Sequence, residues 1–166
     1  MMALAADRWI TIAFGLAIAL IVALAGGMLT EVGPWYESLR FPSWRPPGWL
    51  FGPAWAVIFI CIAASGILVW VEAQSEAQRH WFAGILAVNG LFNVLWSALF
   101  FRAQRPDWAF ADLVLLWLSI LCLVIAAFRT SQAAGWLMSP YLAWVTFAGA
   151  LNFKIVQLNG PFQAEA

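Results

Sequence analysis

The stretch WAFADLVLLWLSILCLVIAAF, Trp108–Phe128, decides the fold. Its one charged residue is Asp112, about one turn from the start. A helix needs roughly 20 apolar residues to cross the hydrocarbon core of a bilayer. Backbone groups in lipid must be paired within the segment, which a helix does by itself. Barrel strands are short and alternate in polarity, and this run does neither. Four further apolar runs lie around it, at about 9–29, 49–71, 81–101 and 135–158, with the charged residues clustered between them. The sequence therefore predicts an all-α membrane protein, a bundle of five transmembrane helices forming one domain over residues 1–166.

Composition agrees. The chain is 64% hydrophobic and 10% charged, against about 25% charged in an ordinary soluble domain. Eight Lys+Arg balance eight Asp+Glu, so there is no basic face for nucleic acid, and the lipid bilayer is the expected surrounding. The positive-inside rule gives an orientation. Arg40, Arg45, Arg102, Arg105 and Lys154 fall on one side, and Arg8, Arg79 and Arg129 on the other. The long first loop and the C-terminus are expected inside, with Lys154 snorkelling from the last span. Cys61 and Cys122 lie within apolar runs and read as small buried hydrophobes.

The first span has two readings. Arg8, the apolar run and Ala23-Leu24-Ala25 are similar to a secretory leader, but the run from Ile10 is long for one, and a membrane helix is expected. Gly15, Ala19, Ala23 and Gly27 form a stripe of small residues, suited to internal packing or to a homodimer.

The loop from 30 to 48 holds Pro34, Pro42, Pro46 and Pro47, together with Trp35, Tyr36, Phe41 and Trp44, and Trp49 follows it. A long, stiff, aromatic loop in a compact protein is expected to pack as a lid; an interfacial aromatic belt is the alternative. Its lid residues are Trp35, Trp44, Arg45 and Trp49.

Polar and aromatic side chains inside spans point to function. Asn89, Asn93 and Trp96 share one face of span three at helical spacing, and Tyr141, Trp144, Ala148 and Asn152 share one face of span five. Trp55 and Phe59 do so in span two. These stripes can converge on a cavity of indole, phenyl and amide groups suited to a flat aromatic ligand. Asn152 and Asp112 read instead as bonds between helices. His80 is the only histidine, no His/Cys/Asp/Glu group has metal-ligand spacing, and no Ser/His/Asp or Cys/His set is evident. No metal, obligatory cofactor or catalytic residue is expected.

Trp35-Tyr36, Phe41-Pro42-Ser43-Trp44-Arg45-Pro46-Pro47-Gly48-Trp49 and Gly52-Pro53-Ala54-Trp55 resemble the first loop and second helix of the translocator protein family. Its bacterial members are called tryptophan-rich sensory proteins (TspO/MBR). Asn93-Val94-Leu95-Trp96 with Phe100-Phe101, and Pro140-Tyr141-Leu142-Ala143-Trp144 with Phe147-Ala148 and Leu151-Asn152, resemble its third and fifth helices. The resemblance implies a bacterial five-helix membrane protein, often dimeric, that binds porphyrins such as protoporphyrin IX under the first loop. It implies a receptor, sensor or carrier of tetrapyrroles, with light-dependent porphyrin breakdown or regulation of another membrane complex as alternatives. It matches Trp55, Asn93, Trp144 and Ala148 to pocket positions and Trp44 and Trp49 to lid positions. Taken with the stripes above, the residues expected at the ligand are Trp55, Phe59, Asn89, Asn93, Trp96, Tyr141, Trp144 and Ala148. Phe59 stands where the family usually has Tyr, and Asn89 where it usually has Gln. The sterol segment lacks its central Tyr at Asn152-Phe153-Lys154, which argues against cholesterol.

Overall fold

The computed structural model describes residues 20–22 and 24–162. A helix α1 is described over Leu20–Leu29. A one-turn helix α2, Pro34–Ser38, follows in the first loop, and a 3-10 turn, Gly48–Leu50, leads into α3, Phe51–Glu72. Then come α4, Glu76–Ser97, with a π-helical extension Ala98–Arg102, α5, Pro106–Thr130, and α6, Gln132–Asn159. No strand occurs among the described residues.

Three of these helices are long and apolar enough to cross a membrane: Gly48–Glu72, Glu76–Arg102 and Pro106–Thr130. They extend the expected second, third and fourth spans by a few residues, because Ser75 and Pro106 begin helices earlier than apolarity does. The expected fifth span is α6, whose 28 residues cover about 42 Å at 1.5 Å per residue. α6 is not among those three, its apolar run being interrupted by Pro140, Tyr141, Asn152 and Lys154. The first half of the expected first span lies outside the described residues, as do Arg8, Gly15, Ala19 and Ala23 and with them most of the small-residue stripe.

Local chemistry sets the ends. Ser75 caps α4 by accepting from the Gln78 N–H at 3.3 Å, which satisfies one donor the helix leaves orphaned, while the Gln78 side chain accepts from the Gln74 N–H just before the cap at 2.9 Å. Arg79 donates to the carbonyls of Trp70 at 2.9 Å and Ala73 at 3.2 Å, placing a cation at the negative end of α3. Pro106 opens α5 at a position where no N–H is needed. Gln104, at φ 54°, makes the tight turn before it in the left-handed region.

Packing places the cavity. α5 packs most extensively on α6 and next on α4, and α3 packs mainly on α6. α3 and α4 are consecutive in the chain yet make little contact, so a gap opens between them. α1 closes part of it by crossing α4: a Cβ on Gly90 would sit 3.1 Å from Val22 Cγ2, and one on Gly26 3.7 Å from Ser97 Oγ. α5 and α6 approach closely at Gly149, where a Cβ would meet Leu113 Cδ2 at 3.0 Å, and at Gly135, where it would overlap the Phe128 ring. Gly135→Ala is expected to cost about 1–3 kcal/mol by overpacking, read as a lower midpoint of thermal unfolding in detergent; an unchanged midpoint would show that Phe128 swings away freely.

Two expectations need correction. Cys122 is exposed and Cys61 only half-buried, because an apolar run in a membrane protein marks a lipid-facing side as readily as a core. Asp112 does not bond between helices: it is buried, and neither carboxylate oxygen has a hydrogen-bond partner among the described residues. Lys154 donates to Gln157 at 3.1 Å, one turn nearer the helix end.

Candidate functional site

The gap between α3 and α4 is a cavity of about 460 Å³, within the usual range for small-molecule sites. α3 contributes Trp55 and Phe59, α4 contributes Asn93 and Trp96, and α6 contributes Trp144 and Ala148. Leu113 and Leu116 of α5 form its floor, Gly26 and Gly27 of α1 a side, and Tyr36, Arg45 and Gly48 of the first loop its mouth.

Each ring is held by others. Trp55 stacks on Phe59 with centroids 5.5 Å apart and meets Trp144 edge-on at 6.5 Å. Trp144 is also flanked by Phe51 at 5.6 Å and Phe147 at 5.8 Å. Trp96 stacks on Phe100 at 5.1 Å, and its indole N–H donates to Asn152 Oδ1 at 3.0 Å. Asn152 in turn donates to the Pro106 carbonyl at 2.9 Å, so one amide joins α6 to α4 and to the first turn of α5. That is the interhelical bond expected of Asn152, although the residue also touches the cavity.

The π-helical turn explains why Phe100 and Phe101 both line the cavity. Neighbouring residues of an α-helix point about 100° apart, and a widened turn reorients them. Such turns recur at functional sites, and nothing in the sequence marks this one.

Asn89 and Tyr141 stand behind the wall rather than in it. Both are buried, and they form a relay. Asn93 Nδ2 donates to Tyr141 Oη at 3.2 Å, which donates to Asn89 Oδ1 at 3.1 Å. Asn89 Nδ2 donates to Ser119 Oγ at 2.9 Å, which donates to the Leu116 carbonyl at 2.6 Å. A backbone carbonyl can only accept, so its place at the end fixes the direction of every bond before it. Asn93 is therefore held from behind through its amide nitrogen, and its oxygen is left toward the cavity.

Of the expected lid residues, Arg45 alone lines the cavity. Its guanidinium carbon lies 3.8 Å from the Phe41 ring centroid and 5.2 Å from that of Tyr36, and no carboxylate pairs with it among the described residues. Burial raises the Tyr36 phenol above its ordinary range, with the nearby Arg45 charge partly offsetting this, so Tyr36 stays a neutral platform. Trp35 packs edge-on against Phe100 and Trp44 against Phe147. Trp49 is 72% exposed. These three brace or flank the loop without lining the cavity.

The loop is tied down at two points. Arg102 donates to Glu31 at 2.8 Å. Asn159 accepts from the Arg40 N–H at 2.8 Å and donates to the Arg40 carbonyl at 2.9 Å. Tyr36, Ser97 and Leu116 were not expected at the cavity. Ser97 was recoverable, being four residues beyond Asn93 on the same face.

The sequence pattern of the TspO/MBR family matches residues 13–158. The chain is 38% identical over 152 residues to the tryptophan-rich protein TspO of Chlorobaculum tepidum, covering 90% of this chain and 96% of that one. It is 34% identical over 133 residues to the tryptophan-rich sensory protein of Cereibacter sphaeroides, covering 80% and 82%. It is 33% identical over 130 residues to the human translocator protein, covering 75% of each.

Proposed function

This chain belongs to the TspO/MBR family, and from that premise we propose that it is a five-helix membrane receptor or carrier for porphyrins such as protoporphyrin IX. The observation that carries the reading is the aromatic cavity with, at its mouth, a guanidinium that pairs with no carboxylate among the described residues. A porphyrin is a flat apolar disc with carboxylates on one edge. Trp55, Trp96 and Trp144 offer ring surfaces for the disc. Arg45, held over Phe41 and Tyr36, offers a charge-assisted bond to a propionate. The relatives' names, translocator and sensory protein, fit a protein that takes up such a ligand.

In this reading α1 and α6 complete the membrane bundle with α3, α4 and α5, and the first loop covers the ligand. The protein acts on the porphyrin through its ring and edge, without an axial metal ligand. The sole histidine, His80, is exposed in the first turn of α4, away from the cavity. His80→Ala is accordingly expected to leave the affinities for haem and protoporphyrin IX unchanged. A loss confined to haem would put the site elsewhere. The direct test of the proposal is titration of the detergent-solubilised protein with protoporphyrin IX, followed by tryptophan quenching. Saturable quenching is expected, weakened in Arg45→Ala for protoporphyrin IX but not for its dimethyl ester. Quenching that never saturates would overturn the reading.

A further inference from the structure

Two polar atoms one helical turn apart on α4, Asn93 Oδ1 and Ser97 Oγ, belong to cavity-lining residues and have no hydrogen-bond partner among the described residues. Asn93 is 8% exposed and Ser97 6%, and both line the cavity. The relay behind Asn93 takes its amide nitrogen and leaves Oδ1 bare among the described residues. Ser97 is unusual among the hydroxyls of the helices. Thr30, Thr130, Ser139 and Thr146 each donate back to a carbonyl four residues earlier, and Ser65 donates across to the Ala134 carbonyl. Ser97 has no such acceptor among the described residues. Both atoms point at one spot: a Cβ built on Gly26 would lie 3.9 Å from Asn93 Oδ1 and 3.7 Å from Ser97 Oγ. Gly26 has no positive φ to require glycine. What it leaves open is the space in front of this pair.

A buried polar group is costly unless it finds a partner. Here the pair consists of one atom that can only accept and one hydroxyl free to donate. The complementary edge carries an N–H beside a C=O. Resting on the reading of this cavity as a site for flat ligands, we propose that Asn93 and Ser97 form a subsite for a lactam, or other cis-amide, edge of a planar ring. Asn93 Oδ1 accepts from the ring N–H, and Ser97 Oγ donates to the ring carbonyl. Trp55 and Trp96 supply the faces against which such a ring lies. The subsite selects among flat ligands by their edge, where the indoles select only by shape.

The probes are phenanthridin-6(5H)-one and phenanthridine, planar three-ring compounds that differ by the lactam edge. Binding is read by tryptophan quenching of the full chain in detergent. Wild type is expected to prefer the lactam about tenfold or more, as two net hydrogen bonds of about 0.5–1.5 kcal/mol each allow. Ser97→Ala should cut that preference to about threefold or less, and Ser97→Thr should restore it. Gly26→Ala should cut it too, since its methyl fits at ordinary contact distance and covers the pair. Equal melting temperatures across the variants exclude loss of the fold as the cause. A wild type with no preference, binding of neither probe, or a preference unchanged in Ser97→Ala would each overturn the proposal. Protoporphyrin IX titrated in parallel keeps the two readings apart: saturable porphyrin binding without lactam preference removes only the subsite, whereas lactam preference without porphyrin binding removes only the porphyrin receptor.

Discussion

Trp144→Leu is expected to weaken protoporphyrin IX binding more than any other single cavity substitution, by about 1–3 kcal/mol, the range for losing one aromatic stacking partner of a base. That corresponds to roughly 5- to 150-fold in affinity. Trp144 is the ring on which the aromatic wall converges, in contact with Phe51, Trp55 and Phe147. Its removal takes away a ligand face and loosens the rings beside it. It also undercuts the first loop, because Trp44 leans on Phe147. Faster porphyrin dissociation should therefore accompany the loss of affinity. Trp136→Leu is the control, since Trp136 is 68% exposed and stands against Phe128 near the N-terminal end of α6, outside the cavity lining. Equal affinity in wild type and Trp144→Leu would exclude the indole from the site.

Asn152→Leu should cause the larger loss of stability, about 2–3 kcal/mol. Asn152 is 1% exposed and serves the Trp96 N–H and the Pro106 carbonyl at once. Leucine strands both, and each unpaired buried group costs about 1–3 kcal/mol. Hydrogen bonds inside membrane proteins average about 0.6 kcal/mol in double-mutant cycles, which pulls the sum toward the lower end. Unfolding by SDS from mild detergent micelles, followed by tryptophan emission, measures it. Trp117→Phe gives the comparison: its bond to Thr146 at 2.8 Å is at an exposed position, and its loss should cost well under 1 kcal/mol. A midpoint for Asn152→Leu no lower than that of Trp117→Phe would show that Trp96 and Pro106 find other partners.

The helical class, the membrane setting and the faces that meet were legible in the chain. Long apolar runs leave a backbone in lipid no choice but the helix, and a helix puts residues three and four apart on one side. So Trp55 with Phe59, Asn93 with Trp96, and Trp144 with Ala148 could be paired before any coordinates, and all six line the cavity. Depth along a face could not be read in the same way. Asn89 and Tyr141 lie on those stripes yet sit behind the wall, because Asn89 of α4 bonds to Ser119 of α5 and to Tyr141 of α6, and both are buried where these helices meet. Tertiary structure alone decided that α3 and α4 stand apart, that a π-turn brings Phe100 and Phe101 inward together, and that Arg45 alone of the four lid residues reaches the cavity. It also decided which atom of Asn93 is free. Hydrophobic periodicity assigns a residue to a side of its helix. Only the contacts between helices determine whether that side meets a neighbour, a cavity or lipid, and only a completed chain of hydrogen bonds, ending on a carbonyl that can do nothing but accept, determines which way an amide faces.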